Sequence, residues 1–356
     1  MDWTDPLRKL APSVSHPAPE SVASSELSSV FADHDDDRWY KTCDVLLKTM
    51  KDDYIPNSSQ DDTPKVLHTF LMKLPKDGQL ALMSEIQLLK NDAARLRQLR
   101  NFLVDTILKP IMAAGGKNPK TPITPSPYPG AKDAIPSSMS KIEPSFRKDQ
   151  ASLKADCLRR EGYRCALTNK VDRNTKNQAL LGAGARTVLT QCAHILPFAL
   201  RNFNEQNAQE TENKATIWWA LYRYFPDLKD LIGPDSINQR QNALTMLGDL
   251  HREFGDFNLA LEPLGNNRYR VCWMTSPGNY GVPEIITLTS NDLSIPLPDP
   301  KYLWVHFRIA EVLEVSGVGK TIADALEKEA WDPENIEPNG SSDIGSILSR
   351  KMLTGI

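Results

Sequence analysis

The sequence predicts an α+β protein that is mostly helical, and three observations carry that expectation. Apolar residues recur at helical spacing from about Glu26 to Ala114. A proline-rich stretch then interrupts the pattern over 115–145. Beyond it, short strand-like runs alternate with helical ones up to about residue 330.

Residues 1 to about 25 contain Pro6, Pro12, Pro17 and Pro19 among several serines and are expected to be disordered, since they offer too little apolar surface to offset the entropy of ordering. In the 26–114 region, Trp39, Tyr40, Leu46, Leu47 and Met50 form one helical stripe, and Val66, Phe70, Leu71 and Leu74 another. A longer stripe takes in Leu80, Leu82, Met83, Ile86, Leu89, Leu96, Leu99, Phe102, Leu103 and Ile107. This region reads as a small helical domain, or an arm that binds a protein partner or dimerises. Residues 115–145, with Pro119, Pro122, Pro125, Pro127, Pro129, Pro136 and Pro144, read as an extended linker. A second domain is expected over 146–330. It opens with a helix from about Gln150 to Glu161, stopped by Gly162, followed by a turn at Cys165 and a strand over 188–196. An aromatic-rich helix spans Thr216–Tyr224, strand-like stretches lie at Phe257–Leu261 and Tyr269–Met274, and a helix pair lies near 302–313 and 320–330. Residues 331–356 read as a polar tail.

Composition excludes several classes. A hydrophobic fraction of 40% and a charged fraction of 24% fit a soluble globular protein. The 42 Lys and Arg nearly balance the 45 Asp and Glu, so the chain as a whole is not a polycation seeking nucleic acid. Locally, Phe146–Lys176 carries nine Lys or Arg against four Asp or Glu, which fits a solvated helix face better than a phosphate footprint. The five cysteines (Cys43, Cys157, Cys165, Cys192, Cys272) are scattered without a Cys-x-x-Cys pair, so neither a disulfide framework nor a four-cysteine zinc site is indicated. The N-terminus lacks a basic-then-apolar secretory pattern and no apolar run reaches membrane-spanning length, so a soluble, intracellular protein is expected.

Three side chains point to a chemistry. His194 sits in Ala193-His194-Ile195-Leu196-Pro197, Asn242 opens Asn242-Ala243-Leu244-Thr245-Met246-Leu247, and His251 sits in Asp249-Leu250-His251-Arg252-Glu253-Phe254. A histidine base, a polar orienting residue and a second histidine able to hold a metal are the groups that phosphodiester hydrolysis requires. Read singly, a histidine in an apolar strand is more often a core residue, and Asn242 could be a turn or cap residue. Asp249 reads as the N-cap of the helix that carries His251.

These motifs resemble the HNH endonuclease domain, in the form abundant in filamentous fungi. The resemblance rests on Arg160-Glu161-Gly162-Tyr163-Arg164-Cys165-Ala166-Leu167-Thr168, on Cys192-Ala193-His194-Ile195-Leu196-Pro197-Phe198, and on the nine residues from Asn242 to His251. It covers Asp156–Met274 and leaves the N-terminal helices unexplained. The fold it implies is a ββα-metal finger, two strands and a helix with a metal between them, embedded in the helical domain. It implies DNA as substrate, His194 as general base at the end of the first strand, and His251 as metal ligand on the helix. Asn242 would fix the finger by backbone hydrogen bonds, orient the His194 ring, or lend its carbonyl oxygen to the metal. Mg²⁺ is the implied ion, with Mn²⁺, Ni²⁺ or Zn²⁺ tolerated by an imidazole ligand.

The sequence departs from the pattern at Ala193, where many members place an acidic residue or histidine as second protein ligand. That departure favours an alternative, a degenerate HNH fold that binds nucleic acid or protein without cutting. Cys165 is followed three residues later by Thr168, so it reads as a small buried hydrophobe and not as a zinc ligand.

Other signals are weaker. Ser316-Gly317-Val318-Gly319-Lys320-Thr321 lacks the first P-loop glycine, which falls on Glu314, so nucleotide binding is not expected. Gly317 and Gly319 read as a tight interhelical turn, with a helix-hairpin-helix phosphate site as the second reading. Trp218, Trp219, Tyr222, Tyr224 and Phe225 read as the core stripe of a helix ahead of a base-stacking platform, and Phe254 as a core anchor.

Overall fold

The structure is a computed structural model, which describes residues 43–44, 47–48, 52–113, 123–139, 148–176, 178–181, 187–201, 203, 206–276, 278 and 280–330. The expected disordered start, the polar tail, part of the linker, and Trp39, Tyr40, Leu46 and Met50 of the first stripe lie outside the described residues. In chain order the helices are α1 (Thr63–Lys73), α2 (Lys76–Leu89), α3 (Ala93–Leu103), α4 (Lys109–Met112), α5 (Ala131–Met139), α6 (Lys148–Arg160), α7 (Ala208–Tyr224), α8 (Gly248–Gly255), α9 (Pro300–Ser316) and α10 (Val318–Ala330). The strands are β1 (Val171–Asp172), β2 (Thr187–Val188), β3 (Thr190–His194), β4 (Ala243–Leu247), β5 (Leu259–Gly265), β6 (Arg268–Trp273) and β7 (Ile285–Thr287). The fold is therefore mixed helix and sheet. No helix among the described residues is long and apolar enough to cross a membrane.

The chain divides into two compact units, with the described parts of Met1–Ile107, Pro122–Lys141 and Ala215–Lys229 in the first, and the remainder in the second. In the first unit the apolar stripes become core. Val66, Leu67, Phe70 and Leu71 of α1 are fully buried, as are Leu96, Leu99, Phe102 and Leu103 of α3, while Leu80, Leu82, Met83, Ile86 and Leu89 of α2 are buried to within a few per cent. The third stripe is broken into two helices. Asp92 caps α3, its side chain accepting from the Arg95 N–H at 3.0 Å, and so starts a new helix where periodicity alone suggests continuity. Beyond α3 the chain widens into a π-helical stretch, Val104–Leu108, ahead of Pro110, which has no N–H to give an α-helical ladder.

The aromatic stripe on α7 is core, as its spacing implied: Trp218, Trp219, Tyr224 and Phe225 are buried. The polar group they enclose is Glu85, which accepts from Arg223 Nε at 2.7 Å and from Tyr224 Oη at 2.6 Å. Arg223 also stacks over the Tyr128 ring at 4.0 Å, so its charge is both paired and covered. Ala131–Met139, expected to be extended, is helical. Pro125, Pro127 and Pro129 precede it, where a fixed φ does no harm, and only Pro136 lies inside.

In the second unit β3 and β4 form an antiparallel pair with His194 opposite Ala243 and Gln191 opposite Met246, and α8 follows β4 directly. β1 and β2 form a short parallel pair, and a three-stranded sheet runs β5-β6-β7, where β7 was not expected from the sequence and α9 packs on β5. Gly317 ends α9 in the left-handed region at φ 79°, its N–H reaching the Leu313 and Glu314 carbonyls, and α10 starts at the next residue. A side chain there would strain the turn, so the glycine is accounted for by backbone geometry.

Arg160 departs from the solvated basic face expected here, which Lys154, Arg159, Arg173 and Lys176 do form. Its side chain is wholly buried and donates to Glu161 Oε1 through Nε and Nη2, to the Arg240 and Pro296 carbonyls through Nη1, and to the Ala243 carbonyl through Nη2. One guanidinium thus ties the end of α6 to the start of β4 and to the loop before α9. Cys165, 1% exposed, accepts from the Leu247 N–H at 3.3 Å, in keeping with its reading as a buried hydrophobe.

Candidate functional site

Strand β3 organises the site through its alternation. Cys192 packs against Leu153 and Cys157 of α6, whereas Gln191 meets His251 of α8. Successive side chains in a strand leave opposite faces, so Cys192 and His194 turn one way, and Gln191 and Ala193 the other. His194 therefore leaves one face of the strand at its C-terminal end, while His251 meets the other face at Gln191, near its start. They remain close enough for a positive charge on His251 to oppose protonation of His194.

Asn242 is the clamp of this strand end. It is 0% exposed. Its carbonyl accepts the Ile195 N–H at 2.9 Å, its Oδ1 accepts the Leu196 N–H at 2.8 Å, and its Nδ2 donates to the Leu196 and Ile237 carbonyls, both at 2.9 Å. An asparagine can satisfy this set because one amide carries both an acceptor and two donors. The effect is to fix the backbone immediately after His194. With its side chain committed to backbone groups, Asn242 does not orient the His194 ring.

That contact belongs to Asn238, which the sequence reading missed. Its Oδ1 lies 3.0 Å from His194 Nε2. Burial pushes the His194 pKa down to about 4, Asn238 opposes the shift, and the charges of His251 and Arg201 reinforce it. The ring is thus neutral near pH 7. With a carbonyl oxygen facing Nε2, that nitrogen carries the proton, and the lone pair is on Nδ1. The His194 ring also lies 5.6 Å from the Phe198 ring, over which the Arg201 guanidinium sits at 4.1 Å. Arg201 is itself buried, 7% exposed, and its charge is near enough to disfavour the protonated His194 ring.

His251 is half-exposed on α8, with Nδ1 2.5 Å from Gln191 Oε1. Asp249 corrects another expectation. The N-cap of α8 is Leu247, and Asp249 lies inside the first turn, pairing with Arg252 at 3.0 Å. Phe254 is core, stacked on the buried His306 ring at 3.8 Å with the planes 4° apart.

The donors on the His251 face bear on the metal that the motif implies. Ala193 is wholly buried and offers none. Among the described residues no group of three or more His, Cys, Asp or Glu could hold an ion. Gln191 Oε1 is taken up by His251 Nδ1, so the predicted ligand on this face is the His251 imidazole. A single imidazole fits a divalent ion that keeps most of its shell as water and phosphate oxygens.

Of the predicted residues, the structure therefore brings His194 and Asn242 together through the backbone, and sets His251 against Gln191 on the other face of the strand. Asn238, Gln191 and Arg201 complete the surroundings. Neutral amides carry neither periodicity nor charge, which is why Asn238 and Gln191 gave no sequence signal.

No curated protein and no solved structure compared with the chain matches it. The stretch 165–262, which contains His194, Asn242 and His251 together with Gln191 and Asn238, matches the family model described as HNH endonuclease.

Proposed function

We propose that the second unit is a metal-dependent endonuclease that hydrolyses DNA phosphodiester bonds, with His194 as general base. The observation that supports this most is the His194 imidazole, kept neutral by burial, held at Nε2 by Asn238, and flanked by the Arg201 cation. In this reading Nδ1 takes a proton from water as the water oxygen attacks phosphorus, and the P–O bond on the far side breaks. Asn242 holds the Ile195–Leu196 backbone so that the ring does not drift, and its commitment to those bonds removes it from the ligand set. His251 would hold the cation. A divalent cation, when bound, supplies positive charge for the crowded phosphorus and the departing oxygen.

Plasmid nicking in Mg²⁺ or Mn²⁺ tests the reading, with His194→Ala and His251→Ala as controls. Cleavage lost in both variants supports it, and cleavage surviving both sinks it. The buried Ala193, which offers no ligand, favours a second reading, an HNH-like module that binds DNA without cutting. Salt-dependent DNA binding with no cleavage in either metal would select that one.

A further inference from the structure

We infer that the cleft beside Asn238 takes an unpaired guanine base of the nucleic acid, with Asp235 accepting from its N1–H and 2-amino groups and Arg240 donating to its O6 and N7. The choice of nucleic acid as ligand rests on the endonuclease reading; the base named here is what the cleft adds to it.

The cleft lies within the second unit, between α6 and the segment that leads into β4. It encloses about 310 Å³, at the lower end of the range for small-ligand pockets and enough for one nucleobase. Asn238 lines it, and Oδ1 of the same side chain meets His194 Nε2 at 3.0 Å. A base seated there therefore belongs to a nucleotide beside the imidazole assigned as general base.

The lining groups divide into those already committed and those left over. Asp156 is committed, accepting from Arg159 Nη2 at 3.1 Å and from Arg240 Nε at 2.8 Å. Arg240 gives Nε and Nη2 to that carboxylate and keeps Nη1 over, on a side chain 51% exposed. Its backbone is pinned as well, since its carbonyl accepts from Arg160. The guanidinium is thus a planar fork held in one orientation with an open donor edge. Gln239 gives Nε2 to the Leu231 carbonyl and to Tyr302 Oη, which leaves its Oε1 as an acceptor. Asp235 is exposed, and its carboxylate has no hydrogen bond or ion pair among the described residues.

The cleft therefore offers a carboxylate, an amide oxygen and a guanidinium edge. Guanine answers that set, because N1–H and the 2-amino group stand side by side for a carboxylate while O6 and N7 form the pair that arginine reads. Adenine and cytosine have an amino group beside a ring lone pair, which a carboxylate repels, and thymine sets its one N–H between two carbonyls. In a duplex the N1–H and the 2-amino group are used in pairing, so the base that fits is an unpaired one.

Fluorescence anisotropy of the full chain in metal-free buffer tests this, with thymidine heptamers that carry one central guanine, adenine, cytosine or hypoxanthine. The guanine heptamer should bind about 10-fold tighter than the adenine and cytosine ones. Hypoxanthine, which is guanine without the 2-amino group, should bind more weakly than guanine to the parent protein. Asp235→Ala, a change at an exposed position, should remove that difference. A 7-deazaguanine heptamer, which lacks the N7 acceptor, should likewise fall below guanine in the parent and match it in Arg240→Met. Equal affinity of the parent for every heptamer, no binding of any, or a guanine preference that survives Asp235→Ala overturns the inference. None of these outcomes decides the endonuclease reading, which stands or falls on plasmid nicking.

Discussion

Asn238 holds His194 from outside the strand pair: its Oδ1 meets Nε2 at 3.0 Å, from the segment that leads into Asn242. The same segment therefore fixes the ring through Asn238 and the backbone beneath it through Asn242.

This division of labour sets a pH dependence. A general base must be unprotonated, so cleavage should be present above a His194 pKa of about 4 and lost as pH falls through it, well below the limb of an ordinary histidine. The Asn238 bond favours the protonated ring. Asn238→Ala should therefore shift the acid limb to still lower pH while reducing kcat about 10-fold through loss of orientation. His194→Ala should reduce it by about 10²–10⁴-fold. Single-turnover cleavage across pH measures both.

Asn242→Ala should act on stability first. It leaves the Leu196 N–H and the Leu196 and Ile237 carbonyls buried without their partner, at about 1–3 kcal/mol for each buried group left unsatisfied. A drop of about 3 kcal/mol in urea unfolding is expected. A loss within about 0.5 kcal/mol, the range of an ordinary surface substitution, would show that the clamp is dispensable.

His306 predicts acid sensitivity of the fold. It is stacked between Phe254 and Phe257, with Nε2 3.0 Å from the Phe254 carbonyl, and burial pushes its pKa down to about 3. The unfolded chain binds the proton near the ordinary value of about 6.5. The neutral ring's contribution is thus intact above about 6.5 and is lost progressively as pH falls from there towards about 3. His306→Phe should flatten that slope in unfolding curves between those limits. An unchanged slope would place the acid sensitivity elsewhere.

Arg160→Met should be among the most damaging changes in the second unit. It strands the Glu161 carboxylate, 7% exposed, and three carbonyls, and breaking one side of a buried pair costs about 3–5 kcal/mol. The double variant Arg160→Met, Glu161→Leu should recover part of the loss, because no unpaired charge then remains. Thermal unfolding of both variants decides it.

Much of this was legible in the sequence for reasons that are local. The stripes of α1, α2 and α3 are visible because a helix repeats its buried face every three to four residues, and the Trp218–Phe225 stripe is core for the same reason. The boundary between α2 and α3 was missed because it depends on the single side-chain hydrogen bond of Asp92, which apolar periodicity does not register. The helix at Ala131–Met139 was missed because proline count outweighed proline position.

For the site, the sequence by itself determined the three motif positions, His194, Asn242 and His251, and the gap at Ala193, since each is a residue type at a fixed spacing. Only the tertiary structure decided what those residues do to one another. It assigned Asn242 to the backbone and the His194 ring to Asn238, set Gln191 against His251, and turned Arg160 from a surface charge into the tie between α6 and β4. The physical reason is that burial and side-chain hydrogen bonding are non-local. A neutral amide or a guanidinium acquires its partner only when strands and loops far apart in the chain are brought within 3 Å or so of each other.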